Sequence, residues 1–295
     1  MSNIKNIREI KEYITAELTG KVKAPADDAD YILSEVLGCS IPDLFLNQDR
    51  VLTEQEYKLI IRAAERRSNN EPLQYIFGQA YFMNLVLKVA PGVLIPRPET
   101  ELLVEFVIKT APAEAEICDI GIGSGAIAIA VAYERPDTTV LGVDYHHVPI
   151  KISGENMKKY NLKNLKIQKS DLLADIGPQK FDIITANLPY VSGKEYSALE
   201  KEVKDFEPKT ALYADDEGCA LIAKTVDQAV SHLKDKGYII FEIGYEQGDK
   251  VAELLRENGS YSEIEIIKDL NGLDRFVKAR FTGTAEKCGK SPAAS

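Results

Sequence analysis

A chain of 295 residues with 45% hydrophobic content is long enough to fill about two folded cores, which excludes global disorder. Its formal net charge is -10, and acidic residues outnumber basic ones both before and after Pro72, which speaks against an extended nucleic-acid footprint. Four cysteines, Cys39, Cys118, Cys219 and Cys288, stand far apart with no C-x-x-C pair, and no run approaches the roughly 18 apolar residues of a membrane span. The expectation is a cytoplasmic chain with reduced thiols, no metal and no membrane contact.

Isoleucines and leucine at positions 7, 10, 14 and 18 predict a first helix, stopped by Gly20. A second is read in "DDADYILSEVLG", with an aspartate cap and Gly38 at its end. Thr53 and Glu56 form a T-x-x-E capping box for a third, and Arg66 and Arg67 suit the negative end of its dipole. Residues 1–72 thus read as a small all-helical domain without obvious catalytic groups.

Residues 73–96 turn aromatic and β-branched, broken by Gly78, Asn84 and Pro91, and predict a β-hairpin or extended connector. From 97 to 283 helical and strand periods alternate: a helix from Pro98, a strand "EICDI", a glycine turn, an apolar helix, and then strands "TTVLGVD", "LKIQKSD", "FDIITAN" and "GYIIFEI". Such alternation implies an α/β fold, a doubly wound, mostly parallel, Rossmann-like sheet with its site at the carboxyl ends of the strands. "NG" at 271–272 separates the last two strands and predicts a hairpin with an antiparallel final strand. Residues 284–295 read as a disordered tail.

The chemistry concentrates in two stretches. In "DIGIGSGAIAIA" the glycines Gly121, Gly123 and Gly125 carry no Cβ to keep a ligand from the backbone. As G-x-G-x-x-A, ending at Ala126, the stretch fits a dinucleotide site with Asp144 on a ribose hydroxyl. As G-x-G-x-G after Asp119 it fits an S-adenosylmethionine loop of Gly121, Ile122, Gly123, Ser124 and Gly125, with Asp144 in the same role. Asp171, after the third strand, is placed near an adenine edge and favours the second reading, although an exposed capping aspartate is its plain alternative.

The other stretch is "NLPY", at the mouth of the fourth strand. An amide or aromatic amine nitrogen is a poor nucleophile because its lone pair is delocalised. Two acceptors on its N–H groups would orient it and help the pair localise. Asn187 offers a side-chain carbonyl and Leu188 a backbone one; Pro189 stiffens the segment, and Tyr190 has a ring to lie on a planar group. Asn187, Pro189 and Tyr190 are the candidate catalytic residues, and 187–190 the candidate substrate cradle. His146 and His147 are adjacent, so their side chains diverge and a shared metal is not expected.

Together these motifs resemble the release factor glutamine methyltransferases, the HemK or PrmC family of class I methyltransferases. The resemblance runs through "EPLQYIFGQAYF", "PGVLIPRPETELLVE", "DIGIGSGAIAIA", "FDIITANLPY", "FEPKTALYADDEG", "IIFEIGYEQG" and "KDLNGLDRFVKARF". It implies that residues 121–125 and Asp144 bind S-adenosylmethionine, that Asp171 and Leu172 border its adenine, and that Asn187 lies near both cofactor and substrate. It implies S-adenosylhomocysteine as product, and as partner the Gly-Gly-Gln loop of peptide-chain release factors, engaged with help from the helical domain; nucleic acid is not expected.

Three positions depart from the family pattern. Leu188 stands where N-P-P-Y has its first proline, in the N-L-P-Y form of ribosomal RNA adenine dimethyltransferases. Ile122 replaces a usual threonine. After Asp144 comes "YHHVPIKISGEN", in which Pro149 and Gly154 are unfavourable to a helix interior. The residues alone leave open an RNA or DNA adenine methyltransferase, a nicotinamide-dependent oxidoreductase, and a binding protein that has lost catalysis.

Overall fold

The computed structural model describes residues 6–283; the expected tail and Cys288 lie outside them. The chain divides into two compact units, one running to Gln79 and taking in Glu200–Phe206, the other formed by Ala80–Leu199 and the residues from Glu207 onward.

The first unit holds α1 (Ile7–Leu18), α2 (Pro25–Leu37), α3 (Ile41–Leu46), α4 (Glu54–Ser68) and α5 (Leu73–Phe77). Ile7, Ile10, Ile14 and Leu18 are buried along one stripe of α1, against Ile32 and Leu33 of α2 and Ile60 of α4. Thr53 and Glu56 close the capping box of α4: the Thr53 N–H donates to Glu56 Oε2 at 2.8 Å and the Glu56 N–H to Thr53 Oγ1 at 3.2 Å. Arg67, buried at the end of α4, donates to Asp28 at 2.7 Å and to Glu202 at 2.8 Å, which fastens the 200–206 segment to this unit.

Several local expectations change. α2 begins at Pro25 with no side-chain cap, so Asp27 and Asp28 occupy its first turn, where the dipole favours them. α3 is an added short helix, started by a Ser40–Asp43 capping box. Residues 73–77, expected extended, form a helical turn that Gly78 ends in a left-handed conformation. The hairpin proper is β1 (Gln79–Phe82) with β2 (Leu85–Lys88).

In the second unit α6 (Thr100–Thr110), β3 (Glu116–Ile120), α7 (Ala126–Glu134), β4 (Thr139–Asp144), α8 (His147–Lys159), β5 (Leu165–Lys169) and β6 (Phe181–Ala186) follow in turn. After α9 (Gly193–Ala198), and α10 (Lys201–Phe206) of the first unit, come α11 (Ala220–Ala229), β7 (Leu233–Glu242), α12 (Gly248–Asn258), β8 (Tyr261–Lys268) and β9 (Asp274–Phe281). The seven-stranded sheet has the order β5-β4-β3-β6-β7-β9-β8. Its first five strands are parallel and β9 runs antiparallel to both neighbours. Consecutive core residues face opposite layers: Ile183 and Ile240 pack with α6 and α7, Ile184 and Phe241 with α11 and α12. No described helix is long and apolar enough to cross a membrane.

The segment after Asp144 is helical after all. Pro149 is the third residue of α8, in the first turn, where its missing N–H has no intrahelical acceptor to lose. Asn156 anchors the helix: its Nδ2 donates to the carbonyls of Lys88 and Ser124, both at 2.9 Å, and its Oδ1 accepts from the Lys88 N–H at 2.7 Å. Those bonds more than offset the entropy of Gly154 and tie α8 to the glycine loop.

Candidate active site

The chain leaves β3 for β4 on one side of the sheet, while β6 pairs with β3 on the other. This reversal parts the loops at the carboxyl ends of β3 and β6 and opens a crevice there. In the β3–β6 register Ile120 lies opposite Ala186, so the glycine loop and "NLPY" emerge side by side. A cavity of about 360 Å³ fills the crevice, within the range of small-molecule sites.

Its floor is built from backbone. The N–H groups of Gly121 and Ile122 both donate to the Val143 carbonyl at 2.9 Å, curling the loop over the sheet edge. Gly121 has φ +76°, and a Cβ there would lie 3.3 Å from Leu188 Cδ2 and 3.4 Å from the Asn187 carbonyl oxygen; the bare backbone is what lets the two loops touch. Ile122, in the place of the family's threonine, packs its side chain over Gly142 in the core.

Asp144, at the end of β4, is pinned by the N–H of Gly123 on Oδ2 at 3.2 Å and that of His146 on Oδ1 at 2.9 Å. Burial raises its pKa, and these two bonds oppose the rise. Asp119 is buried behind the loop with the Thr185 hydroxyl on Oδ1 at 2.9 Å and no hydrogen-bond partner on Oδ2. Burial pushes its carboxyl up to about 7, and the nearby Asp144 adds to the push. Asp171 and Leu172 also line the cavity, but Asp171 is half exposed and ion-paired with Lys224 at 2.7 Å. Leu172 is buried at φ +52°.

Of the predicted residues, Gly121, Ile122, Gly123, Ser124, Asp144, Asp171, Leu172, Asn187, Leu188 and Pro189 come together on one wall system; Gly125 and Tyr190 do not line it. Gly125 caps α7 at φ +90° against Ile129. Tyr190 sits behind the loop: its carbonyl accepts from Gln247 Nε2 at 2.8 Å, and burial, with Glu242 nearby, pushes its phenol up to about 12. His146 borders the cavity through its position after Asp144, and among the described residues no group of side chains suits a metal ion.

The sequence pattern does not single out three polar residues of the site. Asn187 Nδ2 donates to Thr100 Oγ1 at 3.4 Å, and that hydroxyl donates to Glu242 Oε2 at 2.7 Å. Arg97, in the cavity wall, donates to Glu207 Oε1 at 2.6 Å, and Glu207 Oε2 accepts from the Ile95 N–H at 3.2 Å. Thr100, Glu207 and Glu242 each lie inside a quoted motif, yet only the fold brings them to the site.

Comparison with known proteins fits this geometry. Residues 9–78 match the PrmC N-terminal domain and residues 98–205 the methyltransferase small domain. A curated relative from Coxiella burnetii named release factor glutamine methyltransferase is 36% identical over 277 residues, 93% of this chain and 99% of that one. One of the same name from Lactococcus lactis is 41% identical over 230 residues, 78% of this chain and 84% of its own. Among solved structures, a methyltransferase from Pyrococcus furiosus superposes with a TM-score of 0.52 at 16% identity, over 79% of this chain and all of that one, a likeness of fold.

Proposed function

The chain belongs to the release factor glutamine methyltransferase family, and from that premise we propose that its cavity binds S-adenosylmethionine and presents Asn187 and Leu188 to the glutamine of a release factor's Gly-Gly-Gln loop. It is a protein-glutamine methyltransferase, and the product of its reaction is a glutamine methylated on the side-chain nitrogen. The observation that carries the site assignment is the juxtaposition of the glycine loop and "NLPY" across the β3–β6 switch point.

The residues present suit the cofactor. Asp144 is a fixed acceptor pair for ribose hydroxyls, the 121–125 backbone makes room for the methionine portion, and Leu172 supplies an apolar edge for the adenine beside Asp171. Bound S-adenosylmethionine supplies an electrophilic methyl on a sulfonium. The chain's own task is to prepare the nucleophile. Asn187 Oδ1 and the Leu188 carbonyl take the two amide protons, orient the nitrogen and favour a localised lone pair. Pro189 restricts Leu188 to extended conformations and so steadies that carbonyl. Transfer needs no protein base, because the methylated nitrogen becomes acidic and releases its proton to water. The helical N-terminal unit is proposed to help recognise the release factor.

Two outcomes follow for single residues. Asp144→Ala should raise the dissociation constant for S-adenosylmethionine at least tenfold, about 1.4 kcal/mol, by titration calorimetry; unchanged affinity would remove Asp144 from the cofactor site. Leu188→Pro should leave turnover within a few-fold, since the contact is a backbone carbonyl. It should lower thermal stability, because a buried side chain packed on Gly121 is lost, at about 1–2 kcal/mol. A large gain in rate would mean that the leucine side chain obstructs the site.

Leu188 is the feature that favours a base as substrate, so the test of the proposal is competitive. The protein is incubated with labelled S-adenosylmethionine, release factor and unmethylated ribosomal RNA together. Label entering release factor is expected; label entering only RNA would overturn the substrate reading, and label in neither, with the cofactor bound, would favour an inactive binding protein.

A further inference from the structure

We infer that Thr100 and Glu242 form a hydrogen-bond chain that decides which end of the Asn187 amide faces the cavity, and so act as positioning residues for methyl transfer. The inference rests on the substrate reading above, because it concerns the same amide.

A carboxamide is nearly symmetric in shape, yet its two ends do opposite things to a substrate NH₂: one accepts its protons and the other repels them. Asn187 alone has no means of choosing. Glu242, the last residue of β7, is 1% exposed and accepts the single proton of the Thr100 hydroxyl at 2.7 Å. With that proton committed, Thr100 Oγ1 faces Asn187 as an acceptor, and Asn187 Nδ2 stands 3.4 Å from it. The Asn187 amide also reaches the Glu242 carboxylate. Two acceptors behind the amide draw its NH₂ end inward. Oδ1, which has no hydrogen-bond donor among the described residues, is left for the substrate.

A proton on Glu242 reverses the chain. The neutral acid donates to Thr100 Oγ1, the hydroxyl hydrogen is released towards Asn187, and the amide is then better satisfied with Oδ1 turned inward. The groups that face Glu242 are Thr100 and Glu99 at the head of α6, Arg275 on β9, and Asn187 and Tyr190 beyond β6. Burial dominates among these influences and pushes the carboxyl up to about 7, against the Thr100 hydrogen bond and Arg275, while Glu99 adds to the rise. Activity should therefore require the ionised carboxylate and fall as pH drops through that value.

The full-length protein is assayed with labelled S-adenosylmethionine and release factor, and kcat/KM for release factor is followed over pH in wild type, Thr100→Val, Thr100→Ser and Glu242→Gln. Thr100→Val removes the acceptor with little change of shape and should lose at least about tenfold in kcat/KM, whereas Thr100→Ser should stay within about threefold; both should bind S-adenosylmethionine as wild type does. The wild-type acid limb should vanish in Glu242→Gln, which keeps an acceptor oxygen and does not titrate. A Thr100→Val enzyme within threefold of wild type would overturn the inference. So would an acid limb that persists in Glu242→Gln, which would then belong to Asp119. If Thr100→Val does not fold, the Glu242→Gln profile decides. Wild-type enzyme that leaves release factor unlabelled contradicts the substrate reading instead, whatever the variants do.

Discussion

Replacing Asn187 by alanine is expected to reduce kcat/KM for release factor by about 10²–10³, or roughly 3–4 kcal/mol, the size of effect seen when one preorganised polar group is removed from a reacting centre. Cofactor affinity should stay within about tenfold, or 1.4 kcal/mol, because Asp144 and the glycine loop are untouched. Stability should move little: Asn187 is only partly buried, and its bond to Thr100, at 3.4 Å, is long, while Glu242 keeps the Thr100 hydroxyl at 2.7 Å when the amide is gone. The combination of lost turnover, retained cofactor and an intact fold separates a group that orients the nucleophile from one that merely packs. Steady-state kinetics with calorimetry on the same preparation reads all three, and near-normal turnover would show that the acceptor argument is wrong.

Gly218→Ala is expected to be almost as damaging, by a different route. Gly218 has φ +85°, and an added methyl would overlap the backbone carbonyl oxygen of Tyr190 and the side-chain nitrogen of Gln247, with the Tyr190 carbonyl carbon at 2.7 Å. Gln247 is the clamp at that point: its Nε2 donates to the carbonyls of Tyr190 at 2.8 Å and Glu217 at 2.9 Å, while its Oε1 accepts from the Gly244 N–H at 2.8 Å. The two Tyr190 atoms are backbone and cannot swing aside as a side chain could, so "NLPY" must shift or the turn must open. A loss of about 2–4 kcal/mol of stability and at least tenfold in turnover follows. Gly259→Ala is the control, since Gly259 has φ +75° but open space around it; there only the conformational strain of about 1 kcal/mol should appear, with activity intact. Equal thermal shifts in the two variants would mean that the clamp contributes nothing.

The features visible in the chain alone are those in which local pattern and tertiary need agree. The stripe at 7, 10, 14 and 18, the Thr53–Glu56 box and the alternating apolar strands each have a period that only one element satisfies. The glycine loop and "NLPY" are legible for a related reason: each carries its chemistry within five residues. Where pattern misleads, a second force decides. Leu73 and Tyr75 are buried in a helical turn that ends on Gly78, although their aromatic and branched composition suits a strand. Pro149 and Gly154 disfavour a helix by propensity, but α8 is held from outside by Asn156. The Thr100–Glu242 bond spans 142 positions and the Arg97–Glu207 pair 110, so no local pattern announces either. Tyr190, given a place at the substrate by its neighbours in sequence, is not among the residues that line the cavity, and its backbone carbonyl is held by Gln247.

The most direct test of the central claim is to locate the methyl group. Release factor treated with the enzyme and S-adenosylmethionine would be digested and its peptides fragmented in a mass spectrometer. The expected result is one methyl on the side-chain amide of the glutamine in Gly-Gly-Gln, absent when Asn187→Ala enzyme is used. A methyl on any other residue, or the same modification by the Asn187→Ala enzyme at the wild-type rate, would contradict it.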